Sequence, residues 1–135
     1  MTDDRILRFL LRIIGGTSLL AIVPVLMPGS WMSAIHHWLG MGTLPADPAV
    51  GYLARSTSAF YAMLGGLLLL YSTDLARYRP ALRYVGLAAI FFGVMLLGID
   101  YREGMPPWWT LGEGPFNMAF GLLILWLNRR PPDAG

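Results

Sequence analysis

The chain has 135 residues, of which 56% are hydrophobic and 13% are charged, and its mean hydropathy of +0.54 exceeds that of ordinary soluble domains. It contains no cysteine, which excludes disulfides, thiolate metal centres and iron–sulfur clusters. All ten basic residues are arginines at the ends of apolar segments, a placement that indicates membrane orientation and not a nucleic-acid surface. The composition predicts a membrane protein of one domain.

Four apolar segments approach the length of about 20 residues that a helix needs to cross hydrocarbon. They cover residues 6–27, 50–71, 80–99 and 115–128. The third and fourth are expected to begin at Pro80 and Pro115, because proline is favoured at the first helical position. The fourth is short, so it needs preceding residues, a thinner bilayer or snorkelling of Arg129 and Arg130. Because lipid cannot satisfy backbone polar groups, we expect an all-α protein, a membrane four-helix bundle running up-down-up-down.

The arginines predict the orientation of these spans. Only Arg55 and Arg102 fall on one side of the arrangement, and the other eight fall on the opposite side: Arg5, Arg8, Arg12, Arg77, Arg79, Arg83, Arg129 and Arg130. The positive-inside rule then puts both termini in the cytoplasm and the two longer connections outside, in a cytoplasmic (inner) membrane. The alternative is that residues 1–30 form a cleaved signal peptide.

Small residues mark the faces on which the helices are expected to pack. The second span carries a ridge with a four-residue repeat, and the third carries a shorter one: Ala54, Ser58, Ala62 and Gly66, then Ala89 and Gly93. We expect contacts within one bundle, and the alternative is an interface between two copies.

The first outer connection has the apolar spacing of a short helix over residues 31–39 that lies flat in the membrane interface. Ser30 is expected to cap it and Gly40 to end it. His36 and His37 are adjacent and diverge on a helix, so they are not expected to share a metal ion. No span carries a histidine that could ligate haem, so no cofactor is expected.

The second outer connection concentrates charged and aromatic residues. Counting along the helices places Arg55 and Asp100 at the same depth, with Glu113 near that level if the fourth helix continues through Pro115. An arginine at the edge of hydrocarbon is normally paired, so a structural ion pair is one interpretation. The other is an outer pocket for a small anion, a quinone-like headgroup or a lipid headgroup, formed by Arg55, Asp100, Glu113, His36, Trp108 and Trp109.

A family resemblance rests on two segments and the helical outer loop between them. The segments are RFLLRIIGG at residues 8–16 and ARSTSAFYAMLGGLLLL at residues 54–70. The chain resembles small bacterial four-helix membrane proteins of the DoxX-like kind. The resemblance implies a four-helix membrane bundle, and some relatives are associated with quinone-linked oxidoreductase complexes. No motif carries a catalytic residue over to this chain.

Three function classes follow. The leading prediction is an accessory or structural membrane subunit or a partner-binding module, because the sequence contains no redox ligand set, nucleophile constellation or phosphate-binding loop. The alternative is binding of a small molecule, a quinone or a lipid headgroup at the outer pocket. A small transporter comes third. The expected partners are membrane lipid and another membrane protein or a second copy of the chain, with no nucleic acid.

Overall fold

The computed structural model describes residues 3–129, in which all regular structure is helical. Arg130, which contributed to the predicted orientation, lies outside the described residues. The helices in chain order are α1 (Asp3–Leu19), α2 (Ile22–Leu26), α3 (Gly29–Trp38), α4 (Pro48–Tyr71), α5 (Leu75–Glu103) and α6 (Pro107–Leu127).

Three helical stretches are long and apolar enough to cross a membrane. They are Asp3–Leu26, which joins α1 and α2, Pro48–Tyr71 and Leu75–Glu103. They match the first three predicted spans, and large apolar side chains such as Phe9, Phe60 and Phe91 are more than half exposed on them, as lipid-facing residues would be. Helix α6 is not among the three, since its first half includes Glu113 and Asn117. The predicted fourth span therefore stays a prediction.

The expected starts at Pro80 and Pro115 are wrong, because both prolines lie inside helices. Helix α5 begins at Leu75, where the side chain of Asp74 accepts a hydrogen bond from the backbone N–H of Arg77 at 3.1 Å and caps the helix. Helix α6 does begin at a proline, as the preference for proline at the first helical position predicts, but this proline is Pro107 and not Pro115. Each internal proline removes one backbone hydrogen bond, a loss that these long helices tolerate.

The short helix of the first connection is present but begins earlier than predicted. Helix α3 starts at Gly29, so Pro28 and not Ser30 occupies the capping position. It ends at Trp38, and Gly40 follows in the left-handed conformation with a φ of 76°, which is the role predicted for it. The apolar face of α3 is exposed at Trp31, Ile35 and Trp38.

The chain divides into two compact units, the hairpin unit (Met1–Leu10 and Tyr71–Gly135) and the second unit (Leu11–Leu70). In the second unit, α1 and α4 approach each other through Gly15 and Gly65. A Cβ atom on Gly65 would lie 2.6 Å from the carbonyl oxygen of Gly15 and 2.6 Å from the amide nitrogen of Leu19. The predicted ridge residue Gly66 faces open space, whereas Ala62 is buried. The helix contact thus runs through Gly65, one residue before the predicted Gly66.

In the hairpin unit, α5 and α6 are antiparallel and pack through one stripe on each helix with a seven-residue repeat. The stripe residues are Arg79, Gly86, Gly93 and Asp100 on α5, and Pro107, Gly114, Gly121 and Asn128 on α6. A seven-residue repeat keeps the same stripe of a helix facing its partner along the whole length. We call this contact the seam. Ala89, predicted with Gly93, falls in the adjacent row between the buried Leu82 and Leu96.

The two middle layers of the seam are reciprocal glycine contacts. A Cβ atom on Gly93 would lie 2.6 Å from the carbonyl oxygen of Gly114, and one on Gly114 would lie 2.9 Å from the carbonyl oxygen of Gly93. Gly86 and Gly121 meet in the same way. Helix backbones can approach this closely only where neither residue has a side chain, which is how helices pack in lipid without a hydrophobic driving force.

One end of the seam is a polar layer. The buried Asn128 accepts a hydrogen bond from Nη1 of Arg79 at 3.2 Å and donates one to the backbone carbonyl of Arg79 at 3.0 Å. Nη2 of Arg79 also forms an ion pair with Asp4 at 3.2 Å, which connects the start of α1 to the hairpin. The amide of Asn128 therefore joins the C-terminal end of α6 to the N-terminal part of α5 through two hydrogen bonds. Such bonds are stronger in the low dielectric of a protein interior or a membrane than in water.

Substituting Gly93→Ala is expected to destabilise the protein, because the added methyl group meets backbone of α6. Gly98→Ala on the same helix is the matched control, since nothing lies within 4 Å of its added Cβ. Both changes gain helix propensity equally, so their difference isolates overpacking, for which we expect about 1–3 kcal/mol. Thermal unfolding in detergent measures this, and equal midpoints for the two variants would contradict the seam.

Substituting Asn128→Ala is expected to lower the free energy of unfolding by about 1–3 kcal/mol, because it leaves buried groups of Arg79 without partners. Asn117→Ala is the control on the same helix, since the Asn117 amide donates to the carbonyl of Glu113 within α6 at 2.9 Å and does not bridge to α5. Denaturant or thermal unfolding of both variants checks this. A loss in Asn117→Ala as large as that in Asn128→Ala would argue against the polar layer.

Candidate ligand cleft at the α5–α6 turn

A tight turn brings several of the predicted site residues together. Helix α5 ends at Glu103 and is capped by Gly104, whose φ of 68° is the left-handed conformation that favours glycine. The N–H of Met105 donates to the carbonyl of Asp100 at 2.9 Å. Only residues 104–106 separate the two helices. Asp100 in the last turn of α5 is thus placed beside the first turns of α6, which carry Trp108, Trp109 and Glu113.

The two tryptophans and Glu113 line a cleft of about 270 Å³ together with Gly112. The indole rings of Trp108 and Trp109 meet edge to face, with centroids 5.6 Å apart and planes 77° apart. The indole N–H of Trp109 donates to Oε2 of Glu113 at 2.7 Å, across one turn of α6. Trp109 and Glu113 are partly buried, whereas the ring of Trp108 is about half exposed at the mouth.

Asp100 lies behind this cleft at the end of the seam. Its side chain is 4% exposed, and in the part of the chain that the structure describes its Oδ2 atom has no hydrogen-bond partner. Side chains on a helix lean toward its N-terminus, so those of antiparallel α5 and α6 lean in opposite directions. Asp100 therefore leans down the seam toward the level of Glu113, and Glu113 leans toward the turn.

Arg55 belongs to the second unit and has a structural partner there. Its Nη2 donates to the carbonyl of Met27 at 2.9 Å, and Met27 caps the C-terminal end of α2. A cation at this position satisfies a carbonyl that the helix leaves free and complements the negative end of its dipole. The predicted ion pair between Arg55 and Asp100 joins different units and stays a prediction.

His36 is also in the second unit, where it fixes the connection after α3. Its Nδ1 lies 3.0 Å from the carbonyl of Gly42, and Gly42 has a φ of 81°. A role for His36 in ligand binding stays a prediction. Within residues 3–129, no group of three or more histidine, cysteine, aspartate or glutamate side chains is arranged to hold a metal ion.

The polar layer of Arg79 and Asn128 was not predicted from the sequence, although a signal for it exists. The seven-residue spacing that joins Arg79 to Asp100 through two glycines recurs in α6 from Pro107 to Asn128. A four-residue search for small-residue ridges finds Ala89 and Gly93 but misses this longer repeat. The repeat identifies Asp100 as the only acidic residue of the seam among the described residues.

Comparison with known proteins adds no relative to these observations. The chain matches no protein-family model, no curated protein and no solved structure. Any function must therefore be inferred from the geometry of the chain itself.

Proposed function

We propose that this chain is a multi-pass protein of the cytoplasmic membrane that acts as an accessory or structural subunit or as a partner-binding module. The observation that carries the proposal is the seam. Backbones in reciprocal glycine contact leave little freedom for α5 and α6 to move apart, which suits a rigid scaffold. The outward faces of the same helices remain apolar and exposed at Phe91 and Leu122, available to lipid or to a partner helix.

The seam also supports a fourth span. Helix α6 has 21 residues and a length of about 31 Å, which is enough to cross hydrocarbon. It packs antiparallel along α5, which is itself apolar enough to span, so α6 would occupy the same depth. Four spans place both termini on one side, and the arginine distribution favours the cytoplasm. A relationship to DoxX-like proteins agrees with this arrangement.

A second candidate function is binding of a small molecule, a quinone or a lipid headgroup, and the cleft at the α5–α6 turn favours it. Aromatic walls with one converging polar group are typical of ligand sites. This candidate places the ligand at the end of the scaffold, so it is compatible with an accessory role.

Cysteine labelling tests the orientation, since the natural chain has no cysteine. Single substitutions at exposed positions, Thr43→Cys and Glu103→Cys on one side and Thr73→Cys on the other, are treated with a membrane-impermeant maleimide. We expect the first two to react in intact cells and Thr73→Cys to react only after permeabilisation. Labelling of Thr73→Cys and Glu103→Cys from the same side would contradict a membrane-spanning α5.

Isolation of the tagged protein from its native membrane in mild detergent tests the accessory role. We expect a protein partner in stoichiometric amount when the extract is analysed by mass spectrometry. Phe91→Ala, on the exposed face of α5, is expected to weaken the binding of a partner that packs there. Gly98→Ala is the control, because it adds only one methyl group to the surface of the same helix. Recovery of the chain with no stoichiometric protein would contradict the accessory role.

A further inference from the structure

We propose that the cleft at the α5–α6 turn binds an organic ammonium group. This inference rests on the second candidate function and names the chemical class of its ligand. It differs from the anion or quinone-like headgroup expected from the sequence, because the residues that the fold brings together are acidic and aromatic.

The charge of the cleft is the first reason. Glu113 lines it, and the buried carboxylate of Asp100 lies in the last turn of α5, next to the turn that leads into α6. In the described part of the hairpin unit, neither carboxylate forms an ion pair with a basic side chain. The Glu113 carboxylate attracts a cation bound at the mouth, whereas it repels an anion there.

The aromatic walls are the second reason. Trp108 and Trp109 stand nearly perpendicular to each other, and indole faces attract cations more strongly than other aromatic rings do. Two crossed aromatic rings with a carboxylate nearby form the type of site that recognises ammonium and methylated ammonium groups. The hydrogen bond from Trp109 to Glu113 holds one ring and the carboxylate in fixed relation, so the site is already organised before a ligand arrives.

The position of Asp100 in the seam is the third reason. At the other end of the seam, Asn128 supplies Arg79 with reciprocal hydrogen bonds. Asp100 occupies the last position of the repeat on α5, at the end near the turn into α6. Its Oδ2 atom is buried and has no hydrogen-bond partner in the described residues, so an unpaired carboxylate oxygen lies at the end of the seam nearest the cleft. Asp100 itself does not contact the ligand in this proposal, because its side chain is buried and does not line the cleft.

The test compares two single-chain phospholipids with the same acyl chain, lysophosphatidylethanolamine and lysophosphatidylglycerol, on the full protein in neutral detergent. Native mass spectrometry measures the dissociation constant of each. We expect one saturable site for the ethanolamine lipid and weaker binding of the glycerol lipid. Glu113→Gln keeps an acceptor for Trp109 but removes the charge, and we expect it to weaken ethanolamine-lipid binding about tenfold, equivalent to about 1.4 kcal/mol.

Two controls make the comparison specific. Glu103→Gln removes the same charge from an exposed position at the end of α5 and is expected to leave the affinity unchanged. Trp108→Leu changes an exposed ring and is expected to weaken binding, whereas Trp126→Leu, a similarly exposed ring at the other end of α6, is not. Circular dichroism and size-exclusion profiles confirm that each variant is folded.

Competition with free ethanolamine distinguishes the source of the ammonium group. Full competition assigns the site to a soluble amine, and binding of the lipid without competition assigns it to a phospholipid headgroup; both support the proposal. Equal binding of the two lipids, or binding that Glu113→Gln and Trp108→Leu leave unchanged, would overturn it. A quinone that binds in place of the ammonium lipid would overturn the ammonium assignment and keep the second candidate function. Absence of saturable binding for all of these probes would reject both.

Discussion

The close approach of α5 and α6 at the two glycine layers is the constraint on which the hairpin unit depends. Gly86 faces Gly121 and Gly93 faces Gly114, so backbone meets backbone at two points one heptad apart. These contacts set the register of the helices. If α5 shifted by one residue along α6, a side chain would lie at a contact that has room only for the hydrogen atom of a glycine. In lipid, where apolar burial contributes little to association, such packing is a principal source of helix affinity.

The register that the glycines impose decides which polar residues face each other at the ends of the seam. Arg79 meets Asn128, and two hydrogen bonds join them, while Nε of Arg79 has no partner among the described residues. At the other end, Oδ2 of the buried Asp100 has no hydrogen-bond partner in the described residues. The seam therefore has a hydrogen-bonded polar layer at one end and an unpaired buried carboxylate at the other.

That imbalance connects the packing to the proposed functions. The polar layer of Arg79 and Asn128 and the two glycine layers hold α5 against α6, which gives the rigidity expected of an accessory subunit. A ligand site needs polar or charged groups that the fold itself leaves unpaired. Such a carboxylate lies at the turn between α5 and α6, beside the cleft lined by Trp108, Trp109 and Glu113. Arg55 donates to the carbonyl of Met27 within the second unit, and its predicted pairing with Asp100 stays a prediction.

The sequence by itself determined the helical class, the three apolar stretches that match predicted spans, and the neighbourhood of Trp108, Trp109 and Glu113, because hydropathy and local spacing are properties of single segments. It also identified Gly93 and Gly40 through local preferences. Tertiary structure alone decided that Pro80 and Pro115 lie within helices, since capping by Asp74 and packing of the hairpin outweigh the local preference for a proline start. It decided likewise that Gly65 and not Gly66 makes the contact, and that Oδ2 of Asp100 has no hydrogen-bond partner among the described residues. These outcomes depend on which residue of one helix lies opposite which residue of another, and that pairing is set only when the two backbones come into contact.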